Sequence, residues 1–241
     1  MLHNAPLFQI YFGSKRDKLE PFHYRDIREN KDILSFGPYA KAKRLMGLTQ
    51  LIFNKQKHGK QGRIITPRTL KTIPPFKIEG DFLATNMRRV GLGIVTADCL
   101  PIIIFDPINT AVGIAHAGWQ GSVKKVGPTL LEHMQEKFGT QANKVRIIFG
   151  PSAKKCCYQV GADFGKNLEH FAFTERILQK HKGAYFFDLP ECNRLQLQDM
   201  GVPKDSFITT YNHCTICDPT FCSVRTQGQE ACRQMTIVAL K

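Results

Sequence analysis

The clearest pattern of apolar and polar positions lies in the middle of the chain, where it predicts three strands. Apolar runs occupy residues 91–95, 100–105 and 111–115, and a turn-forming Asp-Pro-Ile-Asn-Thr segment separates the second run from the third. Such residues bend a chain, so the last two runs are predicted to form a hairpin. Cys99 stands at the break between the first two runs, and His116 follows the third.

The pattern becomes helical after residue 121. Apolar residues recur at intervals of three and four from Val123 to Phe138, and Gly139 is placed to end the helix. Pro128 lies inside this segment, so either the helix kinks there or its main body begins there. Further strands are predicted at residues 7–12, 51–53, 80–86, 144–149, 185–188, 207–211 and 235–240. Further helices are predicted at residues 39–48, 161–171 and 190–200.

Strands mixed with helices and hairpins predict an α/β or α+β domain built on a mixed sheet. Residues 14–32 are charged and irregular and are predicted to lie at the surface, and the basic, proline-containing segment 63–75 is predicted to be a loop. No low-complexity linker or internal repeat divides the chain. Residues 1–241 are therefore predicted to form a single domain.

The composition is that of a globular protein with a sizeable core, since 42% of the residues are hydrophobic and 10% are aromatic. No apolar run approaches the roughly 18 residues that a membrane span needs. The N-terminal residues lack the pattern of a secretion signal, which predicts a cytoplasmic location. In that compartment the eight cysteines are expected to be reduced.

The net charge of +14 is concentrated in residues 1–90, which contain 18 Lys and Arg against 7 Asp and Glu. A positive field of this kind attracts anionic ligands. The charges are scattered and are not interleaved with aromatic residues as in an RNA-binding motif, so a nucleic-acid partner is not expected. A solvated basic surface, or a basic bias of the whole organism, is the preferred explanation of these charges.

Three residues from separate segments suggest a chemical site: His58, Cys99 and His116. Two imidazoles and a thiolate suit zinc and leave a fourth position open. The alternatives are a Cys99 nucleophile with His116 as its base, or side chains that are simply packed. Asp98 is a candidate proton acceptor or partner of a metal ligand, or it shapes the turn. Arg225 follows a turn and is a candidate phosphate ligand or a surface arginine.

The remaining cysteines give a weaker signal. Cys214 and Cys217 form a Cys-x-x-Cys pair of the kind found in zinc knuckles, but no second well-spaced pair accompanies them. Reduced, unligated cysteines are therefore predicted here. Cys156 and Cys157 are assigned a structural role, because adjacent side chains usually point apart. If the Cys214–Cys217 pair held zinc, the further ligands would come from Cys222, which is nearby in the sequence, or from Cys192 and Cys232.

Several motifs follow one another along the chain: Thr96-Ala97-Asp98-Cys99-Leu100-Pro101, Ala115-His116-Ala117-Gly118-Trp119, Gly150-Pro151, Cys157-Tyr158-Gln159-Val160-Gly161, Asp188-Leu189 with Asn193 and Gly201, Cys214-Thr215 and Ser223-Val224-Arg225-Thr226-x-Gly228. Their order resembles the polyphenol oxidase (laccase-like, YfiH) family, whose members are also described as purine nucleoside phosphorylases. The resemblance covers roughly residues 45–240. It implies layered mixed β-sheets flanked by helices, a fold resembling that of cysteine-dependent toxin deamidases.

The resemblance implies zinc held by His58, Cys99 and His116, with a purine nucleoside and phosphate as partners. The expected function is phosphorolysis of adenosine, inosine, guanosine or methylthioadenosine, or deamination of adenosine. Asp98 would handle protons and Arg225 would bind the anion. The chain departs from the family at several positions while retaining the zinc ligands. These positions are Lys57 for a usual valine, Gln120 for arginine, Val224 for tyrosine and Thr226 for arginine, together with an atypical segment 14–40.

The sequence leaves three other functions to consider. A copper-dependent polyphenol oxidase with a type 1 copper and a trinuclear cluster needs about ten ligands, mostly imidazole. The chain has eight histidines and no His-x-His pair, so four coppers are not expected. A hydrolase or deamidase using Cys99 and His116 without metal is the second alternative. The third is a binding module whose basic N-terminal region docks nucleic acid.

Overall fold

The computed structural model describes residues 1–17, 19, 37–72 and 79–241. Most of the predicted surface segment 14–32 and the end of the predicted loop 63–75 lie outside these residues. No helix within the described ranges is both long and apolar enough to cross a membrane.

Strands and helices are interspersed along the described part of the chain. The strands are β1 (Leu2–Asn4), β2 (Phe8–Phe12), β3 (Gln50–Phe53), β4 (Gly62–Ile64), β5 (Phe82–Thr85), β6 (Val90–Thr96), β7 (Leu100–Asp106), β8 (Ala111–Ala117), β9 (Arg146–Phe149), β10 (Gln159–Val160), β11 (Leu178–His181), β12 (Ala184–Phe187), β13 (Phe207–Ile208) and β14 (Gln234–Leu240). The helices are α1 (Gly37–Leu45), α2 (Pro67–Thr72), α3 (Trp119–Val123), α4 (Val126–Phe138), α5 (Thr174–Ile177), α6 (Leu189–Asp199) and α7 (Val224–Gln227). Short 3-10 helices lie at Lys15–Asp17, Ala142–Lys144, Ala162–Leu168 and Lys204–Ser206.

Two large sheets contain most of these strands. One has the order β1-β2-β14-β6-β3 and is antiparallel except for the β6–β3 pair. The other has the order β13-β9-β7-β8-β5-β4, with a parallel pair at each edge. A small antiparallel sheet has the order β10-β12-β11. The mixed pairing confirms the predicted α/β class with mixed sheets.

The alternation of side chains along β7 shows how the layers share the core. Ile103 and Phe105 belong to the apolar cluster between the two large sheets. Ile102 and Ile104 point to the opposite face, which α4 and α6 cover. The outer face of the five-stranded sheet packs against Tyr39 of α1. The order of the layers is therefore α1, the five-stranded sheet, the six-stranded sheet, and α4 together with α6. Each of the two large sheets is covered on both faces in this arrangement.

The helix predicted between residues 123 and 138 is divided into α3 and α4. The chain turns at Lys125, which has a left-handed φ of 64°. Pro128 lies in the first turn of α4, so the second of the two alternatives for this proline is the observed one. Gly139 ends α4 with a φ of 72°, as predicted.

The prediction of a loop over residues 63–75 is wrong within the described part. Gly62 and its neighbours pair with β5, and the chain then enters α2. Thr66 caps this helix, since its hydroxyl accepts from the backbone N–H of Thr69 at 3.3 Å, and Pro67 fits the first helical position. Several other elements are shorter than predicted. The largest differences are the 161–171 helix, which is a 3-10 helix over Ala162–Leu168, and the 207–211 strand, which ends at Ile208.

The expectation that all cysteines are reduced is also wrong. Cys222 and Cys232 form a disulfide with their Cα atoms 5.3 Å apart. The two residues lie on either side of α7, and the turn after this short helix brings the chain back beside its start. Spacing in the sequence did not reveal this return.

Candidate metal and active site

The structure brings together the three residues that the sequence suggested. One ligand atom from each of His58, Cys99 and His116 lies within 4.8 Å of the others. The two imidazole rings are nearly perpendicular, with centroids 4.8 Å apart. His116 is buried, Cys99 is half-buried and His58 is exposed, so the group is open on one side.

The pairing of two strands explains the position of His116. Phe82 of β5 lies opposite Ala115 of β8, which places Asp81 beside His116. The backbone N–H of His116 donates to the carbonyl of Asp81 at 2.7 Å, and Nδ1 of its ring lies 2.8 Å from Oδ1 of the carboxylate. This contact holds the ring so that Nε2 is directed towards the other two side chains.

The same carboxylate holds the segment that carries His58. Oδ1 of Asp81 accepts from the backbone N–H of His58 at 2.9 Å, and Oδ2 accepts from that of Gly59 at 2.7 Å. His58 has a left-handed φ of 56°, which is unfavourable for a residue with a Cβ. Gln56 fixes the segment from the other side through paired hydrogen bonds with the backbone of Val95. Asp81 therefore orients two of the three residues at once.

Cys99 is positioned by the tight connection between β6 and β7. Asp98 adopts a φ of 84° there, and both of its carboxylate oxygens accept hydrogen bonds. Oδ1 accepts from the Thr215 hydroxyl at 2.7 Å, and Oδ2 accepts from the backbone N–H of Arg225 at 2.9 Å. Asp98 thus ties the Cys99 turn to the C-terminal part of the chain, and Asp81 makes the contact with His116.

Gly118 leaves the room that the group needs. A Cβ at this position would lie 2.9 Å from Sγ of Cys99 and 3.2 Å from Cδ2 of His58. Both distances are shorter than ordinary van der Waals contacts. The glycine after β8 is therefore required by the close approach of these two side chains.

The electrostatic environment favours a thiolate at Cys99. Burial alone raises the pKa of this thiol, but the positive charge of His116 and the hydrogen bonds from His116 and His58 outweigh it and lower the pKa to about 6. Burial lowers the pKa of the His116 imidazole, but the Cys99 thiolate and Asp81 raise it by more, so this pKa lies above its usual value. Burial raises the pKa of the Asp81 carboxyl, but the hydrogen bond and charge of His116 lower it by more, so this pKa lies below its ordinary value.

Two cavities adjoin this group, and a third adjoins the second of them. One of about 210 Å³ is bounded by all three residues, and one of about 120 Å³ is lined by both Cys99 and Trp119. The third, of about 470 Å³, shares Trp119 and Tyr158 with the second. Neighbouring cavities share side chains and therefore lie next to one another, and we call the three together the cleft.

Arg225 lies at the far end of this cleft. Its guanidinium carbon is 4.7 Å from the centroid of the Tyr158 ring, and Nη1 donates to the carbonyl of Gln159 at 2.8 Å. The side chain is exposed and lines the same cavity as Trp119 and Phe164. The sequence-predicted Arg225 therefore lies in the same cleft as the three residues.

Sequence reasoning missed Asp81, which stands 35 positions before His116. The available signal was an acidic residue at the start of the strand predicted at residues 80–86. It also missed how the cysteines group. Cys156 and Cys157 do not point apart in the way expected of adjacent residues, since their sulfur atoms lie within 4.8 Å of those of Cys214 and Cys217.

Comparison with known proteins places the chain in one family. Residues 37–241 match the family described as multi-copper polyphenol oxidoreductase laccase. The chain is 32% identical over 164 residues to the purine nucleoside phosphorylase YlmD of Bacillus subtilis, covering 67% of this chain and 59% of that protein. It is 36% identical over 155 residues to a purine nucleoside phosphorylase of Aquifex aeolicus, covering 64% of this chain and 68% of that protein. The adenosine deaminase RL5 of an unknown prokaryotic organism is 30% identical over 164 residues, covering 66% and 62%.

Solved structures show the same fold. The Bacillus licheniformis hypothetical protein YfiH superposes with a TM-score of 0.85 at 22% identity, over 97% of this chain and 93% of that one. The Neisseria meningitidis protein NMB0706 superposes with a TM-score of 0.79 at 20% identity, over 100% and 98%. The match over residues 37–241 and the shared architecture together show that the chain belongs to the multi-copper polyphenol oxidoreductase (laccase-like, YfiH) family.

Proposed function

We propose that the protein is a zinc-dependent enzyme that acts on purine nucleosides, by phosphorolysis and, with adenosine, by deamination. The observation that carries this proposal is the group of His58, Cys99 and His116 at the inner end of a cleft lined by aromatic rings and Arg225. The names of the Bacillus subtilis, Aquifex aeolicus and RL5 relatives support the same reaction classes. In this proposal residues 1–241 act as one domain in the cytoplasm.

The chemistry of the three donors fits zinc. Zinc accepts imidazole nitrogen and thiolate sulfur, and catalytic sites have three protein ligands with one position free. His58, Cys99 and His116 provide these atoms, and the exposed side of the group leaves room for a fourth ligand. When bound, zinc supplies a Lewis acid that makes water acidic near neutral pH or polarises an oxygen of a substrate.

The aromatic side chains of the cleft bind the base in this proposal. Trp119 and Tyr158 line both the inner and the outer cavity, and Phe164 packs edge-on against Trp119 with ring centroids 5.4 Å apart. Flat apolar surfaces of this kind stack on a purine. They hold the glycosidic bond near Cys99 and exclude water from it.

Arg225 binds the phosphate in this proposal. One of its N–H groups donates to Gln159, and in this proposal the exposed guanidinium uses further N–H groups to form charge-assisted hydrogen bonds with phosphate oxygens. Asp98 accepts from the Arg225 backbone, and we assign it the role of positioning this residue beside Cys99. Gln120 and Thr226, which replace family arginines, are both exposed and directly follow Trp119 and Arg225 of the cleft in the chain, so Arg225 supplies the anion site alone in this proposal.

A metal-free Cys–His hydrolase is the second candidate, because Cys99, His116 and Asp81 are arranged as nucleophile, base and orienting carboxylate. In that reaction the Cys99 thiolate attacks a carbonyl carbon and His116 protonates the leaving group. His58 then has no role in the reaction. A four-copper oxidase is not proposed, since eight histidines do not provide its ligands.

Metal analysis combined with product analysis tests the proposal. The purified protein is expected to contain zinc and to release adenine from adenosine only when phosphate is present, or to form inosine. Cys99→Ala and His58→Ala should each lose the zinc ion held by His58, Cys99 and His116, and with it the activity. The proposal is contradicted if zinc-loaded protein neither releases the free base from any purine nucleoside in the presence of phosphate nor converts adenosine to inosine. Activity retained by His58→Ala without metal supports the Cys–His hydrolase instead.

A further inference from the structure

A second group of metal-binding side chains lies outside the cleft. The sulfur atoms of Cys156, Cys157, Cys214 and Cys217 all lie within 4.8 Å of one another. The four cysteines come from two segments of the chain that are separated by more than 55 residues. We name these residues the four-cysteine cluster. None of them is in the Cys222–Cys232 disulfide.

Backbone pairing between the two segments builds the cluster. Ser152 and Cys214 form a parallel β-bridge. The N–H of Ser152 donates to the carbonyl of His213, and the N–H of Thr215 donates to the carbonyl of Ser152, both at 3.0 Å. Asn212 adds a side-chain hydrogen bond to the carbonyl of Gly150 at 2.6 Å. The two segments are therefore held in a fixed register just before each cysteine pair.

A tight turn explains how adjacent cysteines face the same partners. The N–H groups of Cys157 and Tyr158 both donate to the carbonyl of Lys154, at 2.9 and 2.8 Å. In an extended strand Cys156 and Cys157 would lie on opposite faces, whereas in this turn both sulfur atoms reach the Cys214–Cys217 pair. The pair that the Cys-x-x-Cys motif lacked in the sequence is thus supplied by two adjacent residues.

We propose that the four-cysteine cluster binds one structural zinc ion. With Zn–S bonds of about 2.3 Å, sulfur atoms at the corners of a tetrahedron are about 3.8 Å apart, so the cluster needs to contract by about 1 Å at most. All four positions are filled by protein, which is the arrangement of a structural and not a catalytic site. Binding releases the thiol protons to solvent.

Backbone donors surround the sulfur of Cys214, and two lysines stand close to the cluster in the chain. The backbone N–H groups of Cys217, Ile216 and Lys154 donate hydrogen bonds towards the Cys214 sulfur. Four thiolates with Zn²⁺ carry a net charge of −2, and Lys154 and Lys155 stand directly before Cys156. Lys154 is anchored by its Nζ on the carbonyl of Asn212 at 3.1 Å, so one positive charge is held between the two segments.

The cluster lies next to residues of the cleft. Tyr158, which follows Cys157, lines the cleft and packs under Arg225. Thr215, which follows Cys214, donates to the Asp98 carboxylate at 2.7 Å. A zinc ion in the cluster would therefore fix two segments that contact the cleft, one through Tyr158 and one through Thr215 and Asp98, without touching a substrate.

Elemental analysis of purified protein tests this proposal. Protein prepared under reducing conditions should contain two zinc ions per chain. Cys156→Ser and Cys217→Ser, both at exposed positions, should each lose one of them, whereas Cys192→Ser, at a free cysteine outside the cluster, should keep two. The double variant Cys99→Ala/His116→Ala should keep the zinc of the cluster. Loss of that zinc would count against the cluster, whereas its retention says nothing about the site of the proposed function, so the two proposals are tested independently.

Cobalt substitution gives a second readout, which does not depend on activity. Cobalt in the cluster of the Cys99→Ala/His116→Ala variant should show strong thiolate-to-metal charge-transfer absorption, and Cys217→Ser should abolish it. The proposal is overturned if Cys217→Ser and the unmodified chain contain equal zinc. It is also overturned if mass spectrometry of reduced, metal-replete protein finds disulfides within the cluster, or if the metal is iron with acid-labile sulfide.

Discussion

Nδ1 of His116 lies 2.8 Å from Oδ1 of Asp81, and both side chains are almost completely buried. The same carboxylate accepts from the backbone of the segment that carries His58. One acidic side chain therefore sets the orientation of two candidate ligands that are 58 residues apart in the chain. Its buried negative charge is compensated by these hydrogen bonds and by His116.

Replacing this carboxylate should weaken metal binding. Asp81→Asn keeps the size of the side chain but removes one acceptor and the negative charge, so we expect zinc affinity to fall by about 10- to 100-fold. Competition with a chromogenic chelator measures this change. Asp106→Asn is a matched control, since Asp106 is also completely buried but accepts from a turn far from the group. Equal affinities of the Asp81 and Asp106 variants would contradict the prediction.

The same carboxylate should give a distinct dependence of stability on pH. Its pKa in the folded protein is below the ordinary 3.8, so its contribution to stability is present above that value and is lost as the pH falls through the lower folded value. We therefore expect the difference in free energy of unfolding between the unmodified chain and Asp81→Asn to shrink below about pH 4. Urea unfolding of metal-free protein at several pH values measures it. A difference that grows in acid would refute the assignment.

Gly118 should not tolerate even a methyl group. In Gly118→Ala the new Cβ would press against Cys99 and His58, at 2.9 and 3.2 Å, and would separate the two ligands. We expect zinc affinity to fall by about 10-fold, comparable with the loss of an orienting partner. Gly165→Ala is the control, since its Cβ would meet only Leu178 at an ordinary 3.4 Å. If both variants bind zinc like the unmodified chain, the close approach is not a constraint.

Cys99 should react as a thiolate in metal-free protein. Because its pKa is lowered to about 6, alkylation by iodoacetamide should be slow in acid, rise with a midpoint near pH 6 and be nearly maximal at pH 7. Zinc should protect the residue. Cys192, whose pKa burial raises to about 12, serves as an internal control and should stay unmodified. A midpoint near the usual thiol value of about 8.5 would contradict the role of His116.

Arg225 should control the use of phosphate. In Arg225→Gln the charge-assisted hydrogen bonds are lost, so we expect the KM for phosphate in phosphorolysis to rise by about 10- to 100-fold. Zinc content and adenosine deamination, which needs no phosphate, should change little. Arg176→Gln is the control, since Arg176 is an exposed arginine that pairs with Glu191 outside the cleft. An unchanged phosphate KM would remove Arg225 from the anion site.

The hairpin of β7 and β8 and the helix ending at Gly139 were predictable because their signals are local. Continuous apolar runs, a turn of Asp, Pro and Asn, and apolar spacing of three and four all act over a few residues. The loop predicted at 63–75 was wrong for two reasons. The Thr66-Pro67 start of α2 is a local signal that the basic, proline-containing composition obscured, and the pairing of β4 with β5 outweighs the polar composition of residues 62–64. A tertiary contact of this kind leaves no local signal.

The sequence by itself determined which kinds of side chain were available: two histidines and a cysteine at strand ends, with motifs that resemble one family. Tertiary structure decided which of them meet. The register of β5 with β8 places Asp81 on His116, and the bridge of Ser152 with Cys214 assembles the four-cysteine cluster. Both depend on which strands pair, and a polar or ionisable group acquires its partner only when that pairing brings it within hydrogen-bonding distance.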